Sequence, residues 1–264
     1  MPQTSALISV MIAAARKAAR GLARDFGEVE NLQVSKMGPG DFVSNADHKA
    51  EKILFEELSR ARPGYGFLLE ERGRVAGTDK SHRFIIDPLD GTLNFLHGVP
   101  HFAISIGLER EGELIAGVVY DVIKDDLFWA EKGAGAFLND RRLRVSARTQ
   151  LNEALVVTGL ATPTRKDADA YGRHLQEYDR MTAATAGVRR FGAASLDLAY
   201  VAAGRFDGYW ERALAPWDIA AGAVLVREAG GFAREIDDQD FMTTGSILAA
   251  NAALLPQMQK ALRG

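Results

Sequence analysis

Cysteine is absent from the 264-residue chain, which excludes disulfides, thiolate zinc sites, iron–sulfur clusters and cysteine nucleophiles. A charge excess is absent too: 32 Lys and Arg against 35 Asp and Glu give a formal net charge of −3, so no direct nucleic-acid partner is expected. Long apolar runs are also lacking. The one candidate for a targeting or membrane segment, TSALISVMIAAARKAARGLARDFG, has an apolar part shorter than the roughly 20 residues that span a bilayer. Its Arg16, Lys17 and Arg20 follow that part, where a targeting signal has basic residues before it. Leu7, Met11, Ala14, Ala15 and Ala18 recur at helical spacing and predict a docked amphipathic helix. A cytoplasmic protein without a membrane partner is expected.

Several common sites are missing as well. There is no GxxxxGK[ST] loop for nucleoside triphosphates, and Gly133-Ala134-Gly135 lacks the third glycine of a dinucleotide loop, so it reads as a hairpin turn. His97 and His101 are four apart, but Gly98 and Pro100 between them oppose the continuous helix that a zinc pair needs.

What is present is a two-part rhythm with no internal repeat, low-complexity tract or flexible linker, so one domain over residues 1–264 is expected. The half from about 1 to 148 reads as helices at about 4–26 and 46–61 and strands around 65–69 and 83–87. A meander follows through HFAISIGLE, LIAGVVYD, DLFWAEKG and GAFLNDRRLRVS, whose intervening turns imply antiparallel pairing. From about 149 to 264 the strands ALVVTG, VRRFG, FDGYWE and GSILAAN alternate with helices at DADAYGRHLQEYDRMTAATA, SLDLAYVAAG, PWDIAAGAVLVREAGG and the C-terminus. An α+β half and an α/β half packed in layers are expected.

Acidic residues carry the chemical signal. The stretch 84–92, FIIDPLDGT, ends a β-branched apolar run in two carboxylates. Pro88 predicts the end of the strand, and Gly91 permits a tight backbone. Asp87, the Leu89 carbonyl and Asp90 would put three oxygens on one loop with the Thr92 hydroxyl beside them, a set suited to a hard cation. The same letters also spell a solvated Asp-Pro and Asp-Gly turn. Glu70 and Glu71 follow an apolar strand in GYGFLLEERG, as a second carboxylate edge or as a solvated strand end. Asp218 in LAPWDIAAG stands in a first helical turn after Pro216, where the macrodipole favours an anion. Ser44 and Asp47 have the spacing of a capping box. Each acid has an ordinary explanation, and all four must hold together for the site to vanish.

Taken in order, FLLEERG, IIDPLDGTLNFLHGVPHFAISIGL, GAASLDLAYVAAGRFDGYWE and APWDIAAGAVLVREAGG resemble the motifs of the inositol monophosphatase family of metal-dependent phosphatases. The resemblance spans Lys36 to Gly231, and DPLDGT with the distant WDIAAG is its most specific pair. It implies a layered αβαβα sandwich. It also implies two or three Mg²⁺ ions held by Glu70, Asp87, the Leu89 carbonyl, Asp90 and Asp218, with Glu70, Thr92 and Asp47 as the catalytic groups that hold and activate water. Glu70, Leu89, Asp90, Gly91, Thr92 and Asp218 would surround the phosphate, and Gly192, Ala193, Ala194 and Glu211 would meet the organic part. Departures fall at Leu69, where the family commonly has glycine, at Leu93, and at Arg212 with the residues after it. They bear on substrate preference more than on chemistry.

The activity implied is Mg²⁺-dependent hydrolysis of a small phosphate monoester, inositol 1-phosphate foremost, by in-line attack of metal-activated water. Fructose-1,6-bisphosphatase, histidinol-phosphatase and nucleotide 3′-phosphatase activities are alternatives on the same site. Leu93-Asn94-Phe95 after DGT sits closer to inositol monophosphatases than the Lys-Glu-Phe of bisphosphate nucleotidases. A second phosphate would need a basic pocket, and Arg165, Lys166, Arg173 and His174 read instead as a basic helix start and solvated face. The resemblance implies a homodimer. A regulatory role with a partner in the transcription machinery, as in some bacterial members, is the non-enzymatic alternative.

Overall fold

The computed structural model describes residues 4–27, 34–38, 41–161 and 166–264. Helix α1 (Ala6–Phe26) starts where the Ser5 hydroxyl accepts the Ile8 N–H at 3.1 Å, satisfying one of the donors a helix start leaves open. Its Ile8, Met11, Ala15 and Leu22 form one buried stripe. A hairpin of β1 (Val34–Gly38) and β2 (Asp41–Ser44) leads into α2 (Asn45–Ala61), which packs on α1.

Next come β3 (Gly66–Leu69), β4 (Gly73–Val75), β5 (His82–Asp90), the short α3 (Thr92–Leu96), β6 (Ala103–Arg110), β7 (Glu113–Asp121), β8 (Asp126–Glu131), β9 (Gly135–Leu138) and β10 (Arg141–Arg142). These strands form an eight-stranded sheet in the order β10-β9-β8-β7-β6-β5-β3-β4, in which β3 and β5 run parallel and the other neighbours antiparallel. The remaining elements are β11 (Leu155–Thr158), α4 (Ala168–Ala184), β12 (Gly187–Arg189), α5 (Ala194–Ala202), β13 (Gly208–Glu211), α6 (Pro216–Glu228), β14 (Phe232–Arg234), α7 (Phe241–Thr244), β15 (Ile247–Ala250) and α8 (Leu255–Arg263). Their sheet has the order β12-β11-β13-β15-β14, parallel at β12-β11-β13 and antiparallel beyond.

Strand alternation sorts the apolar residues into layers, because successive side chains point to opposite faces. In β5, Phe84 and Ile86 join Met11, Leu22, Leu54 and Leu58 of α1 and α2, while Ile85 faces the other way. Ile85 meets Leu198 of α5 and Ile219 of α6, and so do Val157, Tyr209 and Ala249 from the small sheet. Val156, Trp210 and Leu248, their neighbours in sequence, face Met181 of α4 and Met258 of α8. The layers therefore run α1/α2, large sheet, α5/α6, small sheet, α4/α8, the αβαβα sandwich of α+β class expected above. Helix α6 lies directly on strand backbone, since a Cβ on Gly117 of β7 would stand 2.5 Å from the Ala221 carbonyl oxygen.

One local expectation is corrected. Strand β5 does not end at Pro88: it continues to Asp90 through a register shift, with Asp87 opposite Ser105 and Asp90 opposite Ala103. A bulge is where a sheet tolerates proline, which has no N–H to give the ladder, and the extra residues turn the two aspartates out of strict alternation.

Candidate active site

Parallel β3 and β5 end on the same edge of the large sheet, which is what brings the first two acids together. The Glu70 N–H, just past β3, donates to the Ile86 carbonyl at 3.2 Å, and the Glu70 carboxyl hydrogen-bonds that of Asp87. Asp87 Oδ1 accepts the Leu89 N–H at 2.9 Å inside the bulge. Asp90 Oδ2 accepts both the N–H and the hydroxyl of Ser195, at 2.7 and 2.5 Å, from the first turn of α5. Asp218 Oδ2 accepts the Ala215 N–H at 2.8 Å where α6 begins. The helix-start reading of Asp218 is therefore correct as local structure, and the same bond aims the carboxylate at the cluster. One oxygen of each aspartate is anchored to the fold, and that anchoring sets the direction of the other.

These groups sit in a medium that opposes their charge. Burial, followed by the charges of Asp218, Glu71 and Asp90, pushes Glu70 up to about 8, against the pull of its bond to Asp87. Asp87 is raised well above the usual carboxylate range by burial and then by Glu70, Asp90 and Asp218. Asp218 is raised by burial and by Asp90; Asp90 is raised by burial although the Ser195 bonds favour its charged form. Burial and mutual repulsion both oppose full ionisation of the four groups, and nearby positive charge would relieve that.

The donor set tests what cation fits. It is all oxygen, as Mg²⁺ requires, with no cysteine in the chain and no zinc pair at His97, which lies just past the end of α3. Among the described residues no three Asp, Glu or His side chains are already gathered into a closed coordination shell. The residues fit a hard divalent cation.

Beside the cluster opens a cleft of about 630 Å³. Glu70, Asp90 and Asp218 line it at one end, and Gly91, Thr92, Gly192, Ala194 and Glu211 complete the wall. Asp87 and Leu89 lie beneath, 2% and 1% exposed. The Leu89 carbonyl accepts the Thr92 hydroxyl at 2.9 Å, which ties this candidate ligand to a candidate catalytic group. Gly91 has φ +91°, and a Cβ there would come within 3.0 Å of the His101 carbonyl oxygen, so the tight turn needs glycine. Asp47 is buried in the first turn of α2, a helix packed on β5. Ala193 departs from expectation: it is buried at the start of α5, outside the cleft lining, where its methyl group backs Gly91. Leu93 lines the cleft and is half-exposed, whereas Arg212 is bound to Glu177 and Asp237 at 2.8 and 2.7 Å.

Other residues had no signal in the sequence. Ser195 orients Asp90 across 105 residues. The Tyr209 hydroxyl donates to Glu211 Oε2 at 2.7 Å, and burial pushes Glu211 up to about 8. The Glu51 carboxylate accepts the Glu71 N–H at 2.8 Å and steadies the chain just after Glu70. Asn94 Nδ2 donates to the carbonyls of His101 and Phe191, both at 2.8 Å, and joins the two sides of the cleft.

Layered sheets that deliver buried oxygen donors to one edge belong to the sugar and inositol phosphatase type of fold. The model of the inositol monophosphatase family matches residues 3–263, and this chain belongs to that family. It is 59% identical over 257 residues to an inositol-1-monophosphatase of Caulobacter vibrioides, covering 96% of this chain and 99% of that one. It is 41% identical over 261 residues to the Nus factor SuhB of Pseudomonas aeruginosa, covering 96% of each. The crystal structure of the extragenic suppressor protein SuhB from Bartonella henselae superposes with a TM-score of 0.93 at 53% identity, covering 98% of this chain and 99% of the other. The chain is a phosphatase of this family.

Proposed function

We propose that this protein hydrolyses small phosphate monoesters, inositol 1-phosphate foremost, in a Mg²⁺-dependent reaction within a single domain. The observation that carries the reading is the convergence of four carboxylates, with Glu70, Asp90 and Asp218 lining one cleft and Asp87 buried beneath it, where desolvation and mutual repulsion disfavour their charges. With the Leu89 carbonyl they would hold two or three Mg²⁺ ions. Bound Mg²⁺ supplies charge neutralisation for the phosphate and a lowered pKa for a water molecule. Glu70 stands at the cleft wall to orient that water and accept its proton, and Thr92 and Asp47 serve the same end from α3 and α2. The Gly91 and Thr92 amides open α3, where backbone donors lack intrahelical acceptors, and are placed to receive phosphate oxygens. Glu211, with Gly192 and Ala194, meets the hydroxyl-bearing part of the substrate.

The relative named inositol-1-monophosphatase supports the substrate. The Nus factor name supports an added partner in the transcription machinery, a role that would persist when hydrolysis is removed. A homodimer belongs to the same proposal: Tyr171, Leu175 and Tyr178 are 40%, 51% and 37% exposed at one-turn spacing on α4. Cytoplasmic residence belongs to the same proposal. Among the described residues no helix is long and apolar enough to cross a membrane. The test is phosphate release with Mg²⁺ from inositol 1-phosphate, fructose 1,6-bisphosphate, histidinol phosphate and adenosine 3′,5′-bisphosphate. Inositol 1-phosphate is expected to be cleaved fastest, and cleavage of none would sink the proposal.

A further inference from the structure

Of the basic residues that the sequence reads as ordinary, Arg165 lies outside the described residues, His97, Lys166 and Arg173 are exposed, and His174 is half-buried. His101 differs: it is 8% exposed, with its ring 5.1 Å from that of Phe191 and 5.8 Å from that of Tyr200. Its Nε2 stands 3.7 Å from Oδ1 of Asp197, which is 1% exposed in the first turn of α5. No other protein group among the described residues hydrogen-bonds that nitrogen or either Asp197 oxygen. Two buried polar side chains that face each other are each other's natural partners, because an unmet polar group is costly away from water. A hydrogen bond of about 2.9 Å asks them to approach by roughly 0.8 Å.

Both ends of this contact lie against the turn that carries Asp90, Gly91 and Thr92. The His101 carbonyl accepts an Asn94 Nδ2 hydrogen at 2.8 Å and would stand 3.0 Å from a Cβ on Gly91. From the other side, the Asp197 N–H donates to the Ala193 carbonyl at 3.0 Å, and the Ala193 methyl group would stand 3.2 Å from the same Cβ. Ser195, two residues before Asp197, holds Asp90 through its hydroxyl and its N–H. His101 is also near enough for its charge to act on Asp90. Burial, and then the charge of Asp90, raises Asp197 well above the usual carboxylate range, while burial, and then Lys124, lowers His101. A neutral acid beside a neutral imidazole forms a hydrogen bond with no buried charge to compensate.

We propose that His101 and Asp197 form a buried hydrogen-bonded pair that locks the start of α5 against the Asp90–Thr92 turn, and so fixes the direction in which Asp90 presents its free oxygen to a divalent cation. They are positioning residues, acting through Ser195 and Gly91 from behind the cleft wall, since neither lines the cleft. The proposal rests on the metal-dependent phosphatase reading of the cleft and deepens it.

The test titrates Mg²⁺ alone into metal-free protein by calorimetry, with melting temperatures measured in parallel. The proteins compared are the unaltered chain, His101→Phe, Asp197→Leu, the double variant and Asp197→Asn. His101→Phe keeps a ring between Phe191 and Tyr200 and removes only the nitrogens, so it is the variant best placed to fold. Mg²⁺ affinity is expected to fall about tenfold in His101→Phe and in Asp197→Leu, and by about tenfold, not a hundredfold, in the double variant, because the two side chains act as one unit. Asp197→Asn, whose amide can give or accept the same hydrogen bond, should stay within about twofold of the unaltered protein. A merely structural pair would lower the melting temperature and leave Mg²⁺ affinity alone, and that result in His101→Phe overturns the proposal. Losses that multiply in the double variant, or that fall equally on Asp197→Asn and Asp197→Leu, overturn it too. Should Asp197→Leu fail to fold, the contrast between His101→Phe and Asp197→Asn decides by itself. An unaltered protein that binds no Mg²⁺ removes the metal reading of the cleft together with this proposal, whereas the other contrary outcomes leave that reading standing.

Discussion

Asp90 shows what the sequence makes legible at the scale of a residue. An aspartate between Pro88 and Gly91 at the end of an apolar run is visible as either turn or ligand, and the distant PWDIAAG favours the second reading. Ser195, which holds Asp90 with its hydroxyl and its N–H, is invisible there because its partner lies 105 positions away and a serine at a helix start is unremarkable by spacing. Ala193 is the opposite case: at this motif position, the extended N-cap of α5, the side chain is buried against Gly91 and not in the cleft lining. The bond to Ser195 has a measurable consequence. Ser195→Ala removes the hydroxyl donor but keeps the N–H, so the apparent Mg²⁺ affinity should weaken roughly 10- to 100-fold, the usual effect of losing a group that orients a ligand. Phosphate release against Mg²⁺ concentration reads this directly, and an unchanged activation curve would show that the bond orients nothing of consequence.

At the scale of elements, long periodic segments were readable and short ones were not. The periodicity of α1 and α2 is set by one buried face each, whereas α6 and strands β6, β7 and β8 are buried on all sides between layers and show in the letters as continuous apolar runs. Strands β4 and β14, with three residues each, and helices α3 and α7, with five and four, form because neighbours supply their partners, not because of local pattern. The continuation of β5 through Pro88 is of the same kind, since the bulge exists by virtue of its pairing with β6. Packing of α6 against bare strand backbone predicts that Gly117→Ala, 2.5 Å from the Ala221 carbonyl oxygen, forces the helix off the sheet. The expected loss is about 1–3 kcal/mol of unfolding free energy, as for other overpacked cores. Urea denaturation measures it, and a loss indistinguishable from zero would mean the helix can shift at no cost.

At the scale of the whole molecule, the layers bring the acids to one cleft edge, where their raised pKa values tie stability to pH. The Glu70 pKa rises from 4.5 in a free side chain to about 8 in the metal-free fold. Between those values the folded chain keeps a proton that the unfolded chain has released, so stability falls as pH rises from about 4.5 to 8. The raised values of Asp87 and Asp218 act with the same sign. Mg²⁺ displaces these protons, so its stabilisation should be larger at pH 8 than at pH 5. Thermal melting with EDTA and with Mg²⁺ at the two pH values checks this, and an equal Mg²⁺ effect at both would deny the coupling.

The central claim is that the cluster holds the metal that hydrolysis needs, and replacing Asp90 with asparagine tests it most directly. The substitution keeps the shape and removes one charge from a self-repelling group, so the metal-free protein should fold at least as well as before. Mg²⁺-dependent phosphate release from inositol 1-phosphate should fall by about a hundredfold or more, the scale on which removing a group that stabilises transition-state charge is felt. A folded Asp90→Asn protein that releases phosphate at a near-normal rate would contradict the account.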